Sequence, residues 1–117
     1  MGRRRAEARR QKLAEGSSAR LVVTIDDPVE TLIARSRKAR AKGDGRRALV
    51  LLRQACALDE WRARSWTLLG ALAAREGAGE EAARALNQAR WLRARAGDAP
   101  RAAATERLAA RLFPAAA

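Results

Sequence analysis

The sequence predicts an all-α protein built from antiparallel helical hairpins. Alanine and arginine, both of which favour helix, supply 30 and 22 of the 117 residues. The glycine-containing breaks "GDG", "GAG" and "GDAP" separate apolar stripes of helical period. The one β-branched run, "LVVTI" at 21–25, is too isolated to build a sheet.

The chain divides into an arm, an extended segment and a series of helices. Residues 1–20 form a basic arm with few large apolar side chains, so we expect it to be disordered. Residues 21–28 are predicted to be extended and to end in a helix cap. The predicted helices span about 28–42, 46–58, 61–76, 80–95 and 99–113.

Caps and glycines set these boundaries. Asp27 is placed to cap free backbone N–H groups, Pro28 suits the first helical position, and Glu30 has capping-box spacing from Asp27. Asp98 and Pro100 are arranged similarly before the last helix. The glycines at 43–45 and 77–79 are expected to end helices and permit tight turns.

Apolar stripes identify the candidate core. In the second helix the stripe consists of Ala48, Leu52 and Ala55, widened by Leu49, Leu51 and Leu58. In the last helix the stripe consists of Ala104, Leu108, Leu112 and Phe113.

A repeat becomes visible when the sequence is shifted by 34 residues. The identities fall at turns and on the apolar stripes. They include Gly43 with Gly77, Gly45 with Gly79, Ala39 with Ala73, Ala48 with Ala82, Leu52 with Leu86, and Ala55 with Ala89.

The unit at 63–96 resembles the tetratricopeptide repeat, a helix-turn-helix unit of this length. The resemblance rests on Trp66, Leu69 and Gly70, followed by Ala82 and Leu86, while Ala73 stands where the family usually has tyrosine. The unit at 29–62 is a degenerate repeat with Leu32, Arg35 and Ser36 at the Trp, Leu and Gly positions. An ordinary alanine-rich bundle is the alternative.

The small residues of the second unit have a physical role. Gly70 and Ala73 are expected to face Ala82, so that two backbones approach closely, while Trp66 supplies a large apolar surface. Two repeats are fewer than a stable stack needs, so residues 97–117 are interpreted as a capping helix and tail. Residues 21–27 or a second copy of the chain would cover the other end.

The sequence predicts no catalysis and no cofactor or metal. It contains no histidine, and no Cys/His metal spacing or phosphate-binding glycine loop. Cys56 lies in an apolar run and is interpreted as a small core residue. The carboxylate pairs lie near helix starts, where they offset the helix dipole.

The resemblance implies a peptide-binding groove, because the first helix of each repeat lines the concave surface in that family. The residues that it places there are Ile33, Arg37, Arg40, Arg64, Thr67, Ala71 and Arg75. Guanidinium groups bind carboxylates in a bidentate manner. We therefore expect an adaptor, scaffold or assembly factor for an acidic protein segment. The alternative for these arginines is a solvated face.

The competing prediction is a nucleic-acid or other polyanion partner. The net charge is +12, and the arm concentrates basic residues. These are Arg3, Arg4, Arg5, Arg9, Arg10 and Lys12. Biased codon usage is the alternative explanation of the arginine excess.

A cytoplasmic location is expected. The single cysteine suits a reducing compartment. No apolar run reaches the roughly 18 to 20 residues of a membrane span, and no apolar signal-peptide core follows the basic start.

Overall fold

The computed structural model describes residues 27–114, and this part of the chain forms five α-helices and no strand. The helices are α1 Pro28–Ala41, α2 Gly45–Leu58, α3 Ala63–Arg75, α4 Gly79–Arg95 and α5 Ala99–Leu112. The all-α prediction is confirmed, and every predicted helix end lies within two residues of the observed one. The predicted arm, most of the extended segment and the last residues of the tail lie outside the described range.

Aspartate side chains cap the helix starts as predicted. Asp27 Oδ1 accepts hydrogen bonds from the backbone N–H of Val29 at 3.1 Å and of Glu30 at 3.3 Å. Asp98 Oδ1 accepts from the backbone N–H of Arg101 at 3.2 Å. Each cap satisfies N–H groups that the helix itself leaves without a partner.

Three glycines end helices in the same way. Gly43, Gly77 and Gly97 adopt left-handed φ values of 82°, 81° and 78°. After each glycine, a backbone N–H reaches back to a carbonyl of the helix's last turn: Asp44 to Ala39 at 2.9 Å, Ala78 to Ala73 at 2.8 Å, and Asp98 to Arg93 at 2.8 Å. This is the Schellman motif, whose left-handed position glycine occupies without strain.

The helices pack as hairpins that stack along the chain. The most extensive packing joins α3 to α4 and α1 to α2, and smaller contacts join α4 to α5 and α2 to α3. Arg64 of α3 donates to Glu30 of α1 at 3.1 and 3.2 Å, across a separation of 34 residues. One pair of equivalent positions in the two units therefore meets, near the N-terminal ends of α1 and α3.

Gly70 marks a close approach between α3 and α4, as predicted. It is buried, and a Cβ atom at this position would lie 2.6 Å from Leu86 Cγ and 3.3 Å from the Ala82 carbonyl oxygen. Its counterpart in α1, Ser36, is also buried, and its hydroxyl donates to the Ile33 carbonyl at 2.7 Å. A small side chain thus occupies this position in both hairpins.

The core follows the predicted stripes with three corrections, of which one is Phe113, 36% exposed at the end of α5. Ala48, Leu52 and Ala55 are buried, but Leu58 is 54% exposed because it ends α2 at the edge of the hairpin. In α5 the predicted Ala104 is exposed, and Thr105 is the buried residue. The alanines at 102–104 are equally apolar, so the sequence did not determine which face of α5 turns toward α4.

Trp66 is half-buried and packs against the core. Its indole N–H donates to the Glu60 carbonyl at 2.9 Å. The ring thus supplies apolar surface as expected, while its polar end ties the start of α3 to the preceding loop.

Candidate functional site

Four of the predicted groove residues line one cleft between α1 and α3, called here the α1–α3 cleft. Its volume is about 110 Å³. The cleft is lined by Ser36, Arg37 and Arg40 of α1, Leu52 of α2, and Leu68, Ala71, Leu72 and Arg75 of α3. The structure therefore brings Arg37, Arg40, Ala71 and Arg75 together, with leucine side chains beside them.

The rim of the α1–α3 cleft is positively charged. Arg37, Arg40 and Arg75 are all exposed. Within residues 27–114, every ion pair involves other arginines, and no carboxylate pairs with these three. Their charges therefore add to one another around a small apolar floor, which favours an anionic ligand.

The other three predicted groove residues do not line this cleft. Ile33 was placed wrongly, since its side chain is 1% exposed and belongs to the core. It shares a helical face with Val29 and Ser36, which are buried as well. Thr67 donates its hydroxyl to the Ala63 carbonyl at 2.9 Å, and Arg64 is held by Glu30 at the opposite end of α3.

An ion-pair network joins the two hairpins beside Arg64. Arg62 Nη1 lies 2.9 Å from Asp27 Oδ2, and Arg62 also pairs with Asp59 at 3.3 Å and with Glu30 at 3.7 Å. Hydrogen bonding to Arg62 lowers the pKa of the Asp27 carboxyl, and the same bond raises the pKa of Arg62. These arginines are engaged in structure, unlike those of the cleft rim.

The structure also forms a second surface, which the sequence did not predict. Trp61, Trp91 and Arg95 meet at the surface and are called here the aromatic cluster. Beside it lies a cleft of about 490 Å³ between the starts of α3 and α5, the α3–α5 cleft. The cleft is lined by Trp61, Ala63, Arg64, Leu92, Arg93, Ala96, Asp98 and Arg101.

The sequence contained part of this signal. Trp61 precedes α3 and Trp91 lies in the last turns of α4. Because α3 and α4 are antiparallel, the start of one lies beside the end of the other. Their pairing depends on how the two helices pack, so neither position alone predicts it.

Cys56 lies in the core of the first hairpin, as predicted. Its side chain is 2% exposed. Burial, together with the charge of Glu81, raises the pKa of the thiol from 9.0 to about 12. The thiol is therefore protonated at neutral pH and does not behave as an activated nucleophile.

Metal-ligating side chains do not gather in the described part of the chain. No group of three or more His, Cys, Asp or Glu residues between 27 and 114 is arranged to hold a metal ion. The absence of catalysis and of cofactors stays a prediction. The basic arm residues from Arg3 to Lys12 lie outside the described residues.

Comparison with known proteins gives no assignment. No family model, no curated protein and no solved structure matches the chain. Across residues 27–114, none of the helices combines the length and apolar composition that crossing a bilayer requires.

Proposed function

We propose that the chain is a non-catalytic interaction module of the tetratricopeptide type that binds an acidic protein segment in the α1–α3 cleft. The observation that carries this proposal is the set of three exposed arginines around an apolar floor, with no carboxylate paired to them among the described residues. Such a module acts as an adaptor, scaffold or assembly factor. A cytoplasmic location is part of the proposal.

The chemistry of the cleft suits a peptide with both carboxylate and aliphatic side chains. Guanidinium groups form charge-assisted, bidentate hydrogen bonds with carboxylates. Leu52, Leu68 and Leu72 offer an apolar surface between the arginines. A volume of about 110 Å³ suits one side chain better than a drug-sized ligand, whose pockets hold about 300 to 1,000 Å³.

Three features support the tetratricopeptide assignment. Gly43 and Gly77 end the first helices of the two hairpins with the same turn, one repeat apart. Glu30 and Arg64, which are also one repeat apart, contact each other across the stack. Gly70 occupies the helix contact at the position where the family pattern has its glycine.

A labelled peptide of alternating glutamate and leucine tests the cleft. Its binding to the full chain is measured by fluorescence anisotropy near physiological salt. The double variant Arg37→Glu/Arg75→Glu is expected to weaken binding by at least about 10-fold, because two attractive charges become repulsive. Circular dichroism checks that the variant keeps its helices.

The matched control reverses two charges that do not line the α1–α3 cleft. Arg46→Glu/Arg84→Glu changes the net charge by the same amount, but these exposed residues lie on α2 and α4. We expect this variant to bind the peptide within about 2- to 3-fold of the unaltered chain. Equal loss in both double variants would show attraction by net charge alone and would contradict the proposed cleft.

A further inference from the structure

The aromatic cluster exposes two large rings close to each other. Trp61 is 66% exposed and Trp91 is 44% exposed. Their ring centroids are 6.2 Å apart, with an angle of 38° between the planes. The guanidinium carbon of Arg95 lies 5.7 Å from the Trp61 ring centroid and 5.3 Å from that of Trp91. The cation orders the rings without removing them from solvent.

The neighbouring α3–α5 cleft is rich in arginine. Arg64 is paired with Glu30, and Arg101 is paired with Asp98 at 3.1 Å. Arg93 donates to the Thr105 hydroxyl at 2.6 Å, and within residues 27–114 it pairs with no carboxylate. Burial and the charge of Arg101 lower the pKa of Arg93, against an opposing effect of Asp98. Asp98 offsets the charge of Arg101, so Arg93 supplies the unpaired positive charge of this cleft.

A third cleft, of about 390 Å³, opens on the aromatic cluster from another side. It is lined by Glu60, Trp61, Asn87, Gln88 and Trp91. Trp61 lines both this cleft and the α3–α5 cleft. The two clefts and the aromatic cluster therefore form one continuous surface, which also includes the carboxylates of Glu60 and Asp98.

We infer that this surface binds single-stranded nucleic acid, with bases stacked on Trp61 and Trp91 and phosphates held by Arg93. Every nucleotide carries a planar apolar base beside an anionic phosphate, which is the pairing of properties that this surface offers. Amides such as those of Asn87 and Gln88 form hydrogen bonds with base edges. An acidic peptide satisfies the arginines but leaves two exposed indoles without a matched partner. The inference is independent of the α1–α3 cleft.

The experiment compares two oligonucleotides with the same number of phosphates. One is a fluorescein-labelled oligothymidylate of ten nucleotides, and the other has abasic sites in place of its bases. Any attraction to net charge, including that of the basic arm, acts on both alike. We expect the full chain to bind the thymidylate about 10-fold more tightly than the abasic strand, because stacking on aromatic side chains strengthens binding. Tryptophan fluorescence is expected to be quenched only by the thymidylate.

Variants of the exposed rings identify the site. Trp61→Ala and Trp91→Ala are each expected to reduce the preference for thymidylate to about 3-fold or less, whereas Trp61→Phe keeps most of it. Leu58→Ala is the matched control, since it removes an exposed apolar side chain from the end of α2. Circular dichroism confirms folding, and the Phe variant keeps the test valid if an Ala variant unfolds.

The outcomes separate the two proposals. Equal affinity for the two strands, or an undiminished preference in both Ala variants, would overturn the nucleic-acid site. It would also be overturned if the glutamate-leucine peptide quenched the indoles and displaced the thymidylate, since the cluster would then belong to a protein partner. The Arg37→Glu/Arg75→Glu variant is expected to keep its preference for thymidylate. The nucleic-acid result can therefore be interpreted even if the α1–α3 cleft does not bind the peptide.

Discussion

The two hairpins use the same turn but differ at the equivalent positions 36 and 70. In α3–α4, Gly70 provides the space beside Leu86 and the Ala82 carbonyl. In α1–α2, Ser36 takes that position, and its hydroxyl is satisfied by the Ile33 carbonyl of its own helix. Both hairpins thus have a small side chain at this position, and the hydroxyl of Ser36 has a hydrogen-bond partner.

The largest loss of stability is expected when a larger side chain replaces Gly70 at the contact between α3 and α4. Gly70→Leu should lower the free energy of unfolding by about 1 to 3 kcal/mol, because even a Cβ atom would meet Leu86 and the backbone of Ala82. Urea denaturation followed by circular dichroism measures the change. In the first hairpin, Ser36→Gly keeps the position small and should cost less than about 1 kcal/mol. Equal unfolding midpoints for Gly70→Leu and the unaltered chain would refute the contact.

The two hairpins also differ at positions 56 and 90, which are equivalent positions one repeat apart. Cys56 is buried in the first hairpin, whereas Arg90 in the second is half-buried and lies 3.8 Å from Glu106 of α5. Because the pKa of Cys56 is raised from 9.0 to about 12, the unfolded thiol ionises before the folded one does. That contribution to stability is fully present below pH 9 and is lost as the pH rises towards 12.

Measuring the free energy of unfolding against pH checks this difference. Across the alkaline window, the thiol should contribute a decrease of about 1.4 kcal/mol per pH unit. Cys56→Ala lacks this contribution, so its stability should fall less steeply, whatever its stability at pH 7. Parallel curves for the two proteins would show that the thiol ionises freely in the folded state.

Removing the ion pairs that Arg62 forms between the hairpins is expected to have a smaller effect on stability. Arg62 of the α2–α3 loop contacts Asp27, Asp59 and Glu30. Arg62→Ala should lower the melting temperature by a few degrees, and Arg62→Lys should restore part of the loss. The effect should shrink as the pH falls below 3.8, because the lowered pKa of Asp27 contributes stability only while its carboxyl stays ionised. A pH-independent effect would contradict the ion-pair explanation.

The smallest effect concerns two hydroxyl groups one repeat apart. Thr31 is exposed and donates to the Asp27 carbonyl at 3.1 Å, whereas the buried Ser65 hydroxyl has no hydrogen-bond partner among the described residues. Ser65→Ala should therefore be neutral or stabilise by about 0.5 kcal/mol, while Thr31→Ala should be neutral or slightly destabilising. Thermal unfolding of both variants compares them. A marked loss of stability in Ser65→Ala would indicate a hydrogen bond at this hydroxyl.

The sequence predicted most of the fold because its helix ends depend on local chemistry. Asp27, Asp98 and the glycines at 43, 77 and 97 act within a few residues of themselves, so their effects are readable without the fold. The orientation of α5 could not be predicted, because its run of alanines makes several faces of the helix similarly apolar. The contact at Gly70 was predicted because a glycine inside a helix otherwise costs stability.

The candidate site was only partly predictable, because it depends on how the helices pack against one another. Arg37, Arg40 and Arg75, which the resemblance to a repeat assigned to a binding groove, line one cleft, and binding there stays a prediction. Ile33 was misplaced because the same helix also faces α2, and the repeat pattern did not separate those two faces. The Trp61–Trp91 pair depends on how α3 and α4 lie against each other, which neither residue encodes alone.

The glycine turns also bear on how the chain folds. Each hydrogen-bonded turn closes within six consecutive residues, at 39–44, 73–78 and 93–98. Closing such short loops costs little entropy, so each of these turns can form early. The two hairpins are joined by the packing of α2 on α3 and by the ion pair from Arg62, across 35 residues to Asp27. We therefore expect docking of one hairpin on the other to set the folding rate.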